Sequence, residues 1–192
     1  GLDRPAPGDS ETQWSRLAAR YLRKEFALTK EVKRATVHIA GMGLYELFIN
    51  GQRIGEQVLA PAPTDYRKTI LYNTYDVTPQ LQKENAIGVI LGNGRFYTMR
   101  QNYKPYKIPT FGYPKLRLNL IVEYTDGSRQ TIASDISWKL TTEGPIRSNN
   151  EYDGEEYDAR KELGDWNRTG YDDTNWIPAG RVSIPSGTLR AQ

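Results

Sequence analysis

The densest run of reactive side chains in this sequence is Glu151, Asp153, Glu155, Glu156 and Asp158. Hydrolysis of a glycoside generally uses two carboxylates that flank the bond, one of them kept protonated by its surroundings. On a strand, residues two apart share a face, so Asp153 with Glu155, or Glu156 with Asp158, would stand close together. No apolar stretch adjoins them to hold one proton in place, and Asp158 with Arg160 makes a simpler structural ion pair, so the structural reading is preferred. His38 is the single histidine, which excludes a Ser-His-Asp triad and a two-histidine metal site. The absence of cysteine excludes a thiol nucleophile, a cysteine zinc site and a disulfide scaffold.

A second candidate is chemically different. Phe96, Tyr97, Tyr103, Tyr106, Phe111 and Tyr113 interleave with Arg95, Arg100, Lys104 and Lys107, and no Asp or Glu occurs between Asn85 and Val122. Pro105, Pro109 and Pro114 are too close together for a strand, so residues 98–113 read as a long loop with a rigid path. Loops of that length in a compact domain are usually functional or disordered, and the tyrosines argue against disorder. Flat rings stack on the C–H faces of sugars, while Arg or Asn beside them bonds hydroxyls. Two readings stay open: a saccharide-binding loop, or a loop packed on its own sheet or on a neighbouring domain. Basic residues among rings also suit single-stranded nucleic acid. That class is set aside, because a net charge of +3 is small and residues 143–173 carry ten acids against four bases.

The elements that would position these residues are strands. A chain of 192 residues is about one domain, long enough to bury a core without a metal or disulfide staple. Clean alternation marks Ala35 to Ile39, and further strands are predicted at 21–28, 69–75, 86–91, 115–124, 129–133 and 138–141. Asn50-Gly51 between two alternating runs predicts a two-residue type I′ hairpin, and Thr125-Asp126-Gly127-Ser128 a second hairpin turn. A short helix fits residues 11–20, and Asp172-Asp173-Thr174 caps a turn that Trp176 anchors in the core. Short strands at close spacing, without a long 3.6-residue period, predict an all-β antiparallel sandwich or barrel. Residues 1–19 read as a lead-in linker, 20–180 as the sandwich domain, and 181–192 as a linker toward a downstream domain. The chain opens Gly1-Leu2-Asp3 without Met, as a processed or excised piece would, and no apolar run approaches a membrane span.

The ordered set 45–55 (YELFINGQRIG), Thr64-Asp65-Tyr66, 71–78 (LYNTYDVT), 91–97 (LGNGRFY), 113–116 (YPKL), 124–128 (YTDGS), 134–140 (SDISWKL), Gly144-Pro145-Ile146 and 152–160 (YDGEEYDAR) resembles the N-terminal domain of bacterial α-L-rhamnosidases. The resemblance implies a jelly-roll, galactose-binding-domain-like β-sandwich, an accessory domain whose partner is a catalytic (α/α)6 barrel farther along the polypeptide. It implies no catalytic residue in this chain. In some members this domain is an autonomous rhamnose-binding module with calcium at the sugar site. Carried over, the binding residues are Asp65, Tyr66, Asn93, Arg95 and Tyr97, with Tyr103 and Tyr106 added from the ring-rich loop. Where many relatives read P-G-W-T-D-Y this chain has Pro61-Ala62-Pro63-Thr64-Asp65-Tyr66, and Arg95 stands where many have Trp. The family also implies an exported, periplasmic or extracellular, location.

Overall fold

The computed structural model of the protein describes residues 17–97, 111–151, 154–183 and 186–192. The strands are β1 (Arg20–Ala27), β2 (Val32–Met42), β3 (Leu44–Ile49), β4 (Gln52–Ile54), β5 (Thr69–Asp76), β6 (Glu84–Gly92), β7 (Lys115–Tyr124), β8 (Arg129–Ala133), β9 (Lys139–Thr141), β10 (Ile146–Asn150), β11 (Gly154–Tyr157), β12 (Ile177–Pro178) and β13 (Thr188–Ala191). A six-stranded sheet runs β12-β9-β1-β6-β3-β4, a five-stranded sheet runs β13-β5-β2-β7-β8, and β10-β11 form a separate ribbon. The expected all-β antiparallel jelly-roll sandwich is what the chain forms.

Alternation explains the two main layers. In β7, Leu116, Leu118, Leu120 and Val122 point inward and meet Val37 and Ile39 of β2 and Leu47, Ile49, Ile87, Val89 and Leu91 of the opposite sheet. Both turn residues of the β3–β4 hairpin have positive φ, 51° at Asn50 and 81° at Gly51, the backbone that a type I′ turn requires. Asn50 also ties the hairpin to β6, its Oδ1 accepting from the Ala86 N–H at 2.9 Å.

The outer face of the six-stranded sheet is covered as well. Trp166 and Trp176, carried by the irregular stretch after β11, stack at 6.2 Å and lie with Tyr21 and Phe48 in a separate apolar cluster. Gly88 in β6 makes room for this layer: a Cβ there would stand 2.7 Å from Asn167 Cβ and 2.8 Å from Trp166 Cζ3. Gly88→Ala should therefore cost about 1–3 kcal/mol through overpacking. Thermal melting followed by tryptophan fluorescence checks this, and an unchanged midpoint would contradict the packing.

Two expectations need correction. Residues 17–19 belong to no helix or strand and Arg20 already opens β1, so no helix reaches residue 20; residues 11–16 lie outside the described residues. The segment taken as a linker, 181–192, contains β13, which pairs in parallel with β5, from Thr188 opposite Thr69 to Ala191 opposite Tyr72. The ribbon β10-β11 was not expected at all.

Candidate functional site

The turn into β5 and the turn out of β6 meet on one side of the sandwich. Asp65 closes the first: its backbone carbonyl accepts from the N–H groups of Lys68 and Thr69, and its Oδ1 accepts from the Arg67 N–H at 3.2 Å. The Arg67 guanidinium bridges back to the same carboxylate, Nε to Oδ1 at 3.0 Å and Nη2 to Oδ2 at 3.3 Å. The second turn is Gly92-Asn93-Gly94-Arg95. Gly94 has φ of +48°, and a Cβ there would lie 2.8 Å from Leu44 Cγ, so the close crossing over β3 needs glycine. Arg95 then reaches Glu151 at the end of β10, Nη1 to Oε1 at 2.5 Å.

Between these two ion pairs lies an open cleft of about 560 Å³ lined by Pro63, Thr64, Asp65, Arg67, Arg95, Phe111 and Glu151. Two carboxylates and two guanidinium groups make its lining neutral. The Arg67 guanidinium bonds hold the Asp65 carboxyl below the usual range, and the Arg67 backbone N–H adds to this. The side chains of Arg95 and Glu151 are about one-third exposed, at 33% and 32%, so their outer edges can still reach a ligand. Phe111 supplies an apolar flank and carries the Arg67 guanidinium 5.8 Å from its ring centre.

Of the residues singled out from sequence, Asp65 and Arg95 line this cleft. Tyr66, Asn93 and Tyr97 lie beneath it. Tyr66 is 3% exposed and packs edge-on against Phe96 at 5.0 Å and Phe111 at 5.1 Å. Burial pushes its phenol up to about 12, with Glu151 adding to the rise and Arg95 opposing it. Tyr97 is buried and stacks on Tyr113 at 5.7 Å. Neither ring is the stacking platform expected, because each fills the layer under the turn. Asn93 is a buried tie: its Nδ2 donates to Leu17 O at 2.9 Å and Asn149 O at 2.8 Å, and its N–H donates to Asn149 Oδ1 at 2.6 Å. Tyr103 and Tyr106, with most of the ring-rich loop, lie outside the described residues. Sequence reasoning missed Arg67 and set Glu151 among structural carboxylates.

The cleft does not fit calcium. That ion takes six to eight oxygens, mostly carboxylate and carbonyl. Here each of the two carboxylates is already bridged by an arginine, and two cations line the same space. Among the described residues no group of three or more His, Cys, Asp or Glu gathers. The other sequence candidates are structural. Asp158 receives a two-pronged bond from Arg160 at 2.8 and 2.9 Å, which holds its carboxyl down at about 2, and Glu156 accepts from Ser148. His38 Nδ1 lies 2.9 Å from Thr74 Oγ1 on the outer face of the five-stranded sheet. Asp172 caps its turn as expected, its Oδ1 accepting from the Thr174 N–H at 3.1 Å.

Comparison with known proteins places this geometry in a family. The curated relatives include an alpha-L-rhamnosidase of Formosa agariphila, 47% identical over 180 residues, which are 91% of this chain and 19% of the relative. One from Streptomyces avermitilis is 40% identical over 172 residues, 85% and 16% of the respective lengths. The chain thus spans about a fifth of the curated relatives it matches. Among solved structures, alpha-L-rhamnosidase from Dictyoglumus thermophilum superposes with a TM-score of 0.85 at 46% identity, over 93% of this chain and 19% of that one. Streptomyces avermitilis alpha-L-rhamnosidase complexed with L-rhamnose gives 0.81 at 38%, over 90% and 17%. A lectin from Pleurotus ostreatus shares the fold alone, with a TM-score of 0.54 at 19% identity. The family model for the alpha-L-rhamnosidase N-terminal domain matches residues 30–192, and the chain belongs to that family.

Proposed function

We propose that this chain is a non-catalytic accessory domain of an α-L-rhamnosidase, and that it holds a neutral saccharide such as L-rhamnose in the cleft between Asp65–Arg67 and Arg95–Glu151. Removal of terminal α-L-rhamnose then falls to a catalytic domain elsewhere in the same polypeptide. The observation that carries the reading is the neutral, paired lining: carboxylate oxygens accept from sugar hydroxyls and guanidinium N–H groups donate to them, with Phe111 beside the C–H face. The same pairing argues against hydrolysis in the cleft. A general acid must keep its proton near neutral pH, whereas Arg67 holds Asp65 ionised and Arg95 is bonded to Glu151.

Calorimetric titration of the 192-residue chain with L-rhamnose tests this reading. Arg95→Ala should weaken binding by roughly tenfold or more, the worth of a hydrogen bond to a charged group. It should change stability by less than about 1 kcal/mol, because the pair is partly exposed. Affinity should be the same in calcium as in EDTA. Unchanged affinity in the variant would remove the cleft from the account, and binding that appears only with calcium would restore a metal to it.

A further inference from the structure

A second cleft, of about 470 Å³, opens where the segment after β12 crosses the start of β7 beside the end of β8, and it shares no lining residue with the first. We propose that it binds an anionic saccharide, a sugar carrying a carboxylate or a sulfate.

The argument begins with charge. Lys115, Arg117 and Arg181 all line this cleft. Lys115 and Arg117 stand two residues apart on β7, opposite Met42 and Ala40 of β2, so both project from the same face of the sheet. Lys115 is 7% exposed, and its Nζ donates to Ser183 Oγ at 3.2 Å across the cleft. Arg117 and Arg181 are exposed, and among the described residues neither has a carboxylate or carbonyl partner. The arginines of the first cleft, Arg67 and Arg95, are by contrast each paired with an acid. The one acid in the lining, Asp135, accepts from the Ser137 N–H at 2.9 Å and stands 3.7 Å from Lys24, so its charge is already answered. Three cations against one engaged carboxylate leave the cleft positive, in contrast to the neutral lining of the first.

Shape and chemistry point the same way. The volume falls within the range of small-molecule sites. A guanidinium group presents two parallel N–H donors that match the paired oxygens of a carboxylate or sulfate. Arg117 and Asn119 also line a smaller adjoining cleft of about 190 Å³ with His38 and Tyr72. The two clefts share Arg117 and Asn119, and the Tyr72 ring lines the second, where a further sugar unit attached to the anionic one would have an aromatic surface to meet. That a sugar carries the anion rests on the proposed role in a rhamnosidase; the anion site itself stands on the three cations.

The 192-residue chain is titrated with rhamnosyl-glucuronic acid, a rhamnose sulfate, L-rhamnose and sodium sulfate. At least one anionic sugar should bind about tenfold or more tightly than L-rhamnose, and the two anionic probes separate carboxylate from sulfate. The Arg117→Gln/Arg181→Gln double variant should lose that preference by weakening the anionic sugar, whereas Arg95→Ala should weaken L-rhamnose and leave the affinity for the anionic sugar as it was. Both arginines are exposed, so melting should be unchanged, and Arg181→Gln alone provides a second reading. Equal binding of the neutral sugar, equal binding of sodium sulfate, or loss in the Arg95 variant instead would overturn the proposal. If L-rhamnose does not bind at all, the neutral-sugar reading of the first cleft fails while the anionic probes still decide this one.

Discussion

Replacing Arg23 by Met should lower the unfolding free energy by about 3–5 kcal/mol, the usual cost of removing one partner of a buried charged network. At roughly 2–4 °C per kcal/mol for a chain of this size, the melting temperature should fall by about 6–20 °C. Arg23 lies in β1 and is 1% exposed, yet its guanidinium is almost fully used. Nε donates to Trp166 O at 2.8 Å, Nη2 donates to Arg168 O at 2.9 Å and Glu25 Oε1 at 2.5 Å, and Nη1 donates to Asp173. These bonds clamp the stretch that carries Trp166 and Trp176 onto the outer face of the six-stranded sheet. Without them, two backbone carbonyls and two carboxylates lose their donor at once. Tryptophan emission should shift to the red in the variant as this layer loosens. Arg23→Lys should recover little, because an ammonium group cannot serve the same fork of acceptors. A loss below about 1 kcal/mol in urea denaturation would show that the clamp is dispensable.

Trp138→Ala should cost a similar amount, about 3–5 kcal/mol, by a different route. Trp138 is 1% exposed, the largest side chain in the main core, and its indole N–H donates to Ala133 O at 2.8 Å. Its backbone carbonyl accepts from the Ala179 N–H at 2.8 Å, so the residue also holds the segment that forms one wall of the cationic cleft. Trp138→Phe separates volume from hydrogen bonding: it keeps most of the ring but leaves Ala133 O without its donor, at about 1–3 kcal/mol. Chemical denaturation of both variants checks the order, and a Phe variant as unstable as the Ala variant would put the bond above the packing.

The sandwich was legible wherever one face of a strand is buried and the other wet. β7 and β8 match the sequence expectation residue for residue, because Leu116, Leu118, Leu120 and Val122 alternate with Arg117, Asn119, Ile121 and Glu123. β1 alternates poorly for a physical reason: Leu22 faces the inner core while Tyr21 and Arg23 are buried under the tryptophan layer, so both faces are covered. β10 and β11 gave no signal, since Arg147, Asn149, Asn150, Glu155 and Glu156 are polar on both faces of a two-stranded ribbon. β13 is four residues at an edge, and its parallel pairing with β5 has no local signature.

The first cleft was half legible. Asp65 and Arg95 come from motifs that carry the family resemblance, and the structure brings them to one cleft although they are far apart in sequence. Arg67 was not readable, because its role depends on a turn that folds it back over Asp65. Glu151 was visible as an acid, but its neighbours in sequence drew attention to pairs along one strand, whereas its partner, Arg95, comes from across the fold. Of the 13 tyrosines, Tyr21, Tyr45, Tyr66, Tyr97 and Tyr124 are buried. Tyr45 shows what the extra oxygen does there: its hydroxyl donates to Asn73 Oδ1 at 2.8 Å inside the sandwich.

Binding without hydrolysis is the central claim, and one ligand-observed NMR series on the 192-residue chain with an aryl α-L-rhamnoside reads both halves of it. Saturation transferred from protein to the rhamnose ring protons reports binding, and the signals of free rhamnose report cleavage. The account predicts transfer to the sugar ring with no rhamnose released above the buffer control. Accumulating free rhamnose, or no transfer to the ring at all, would contradict it.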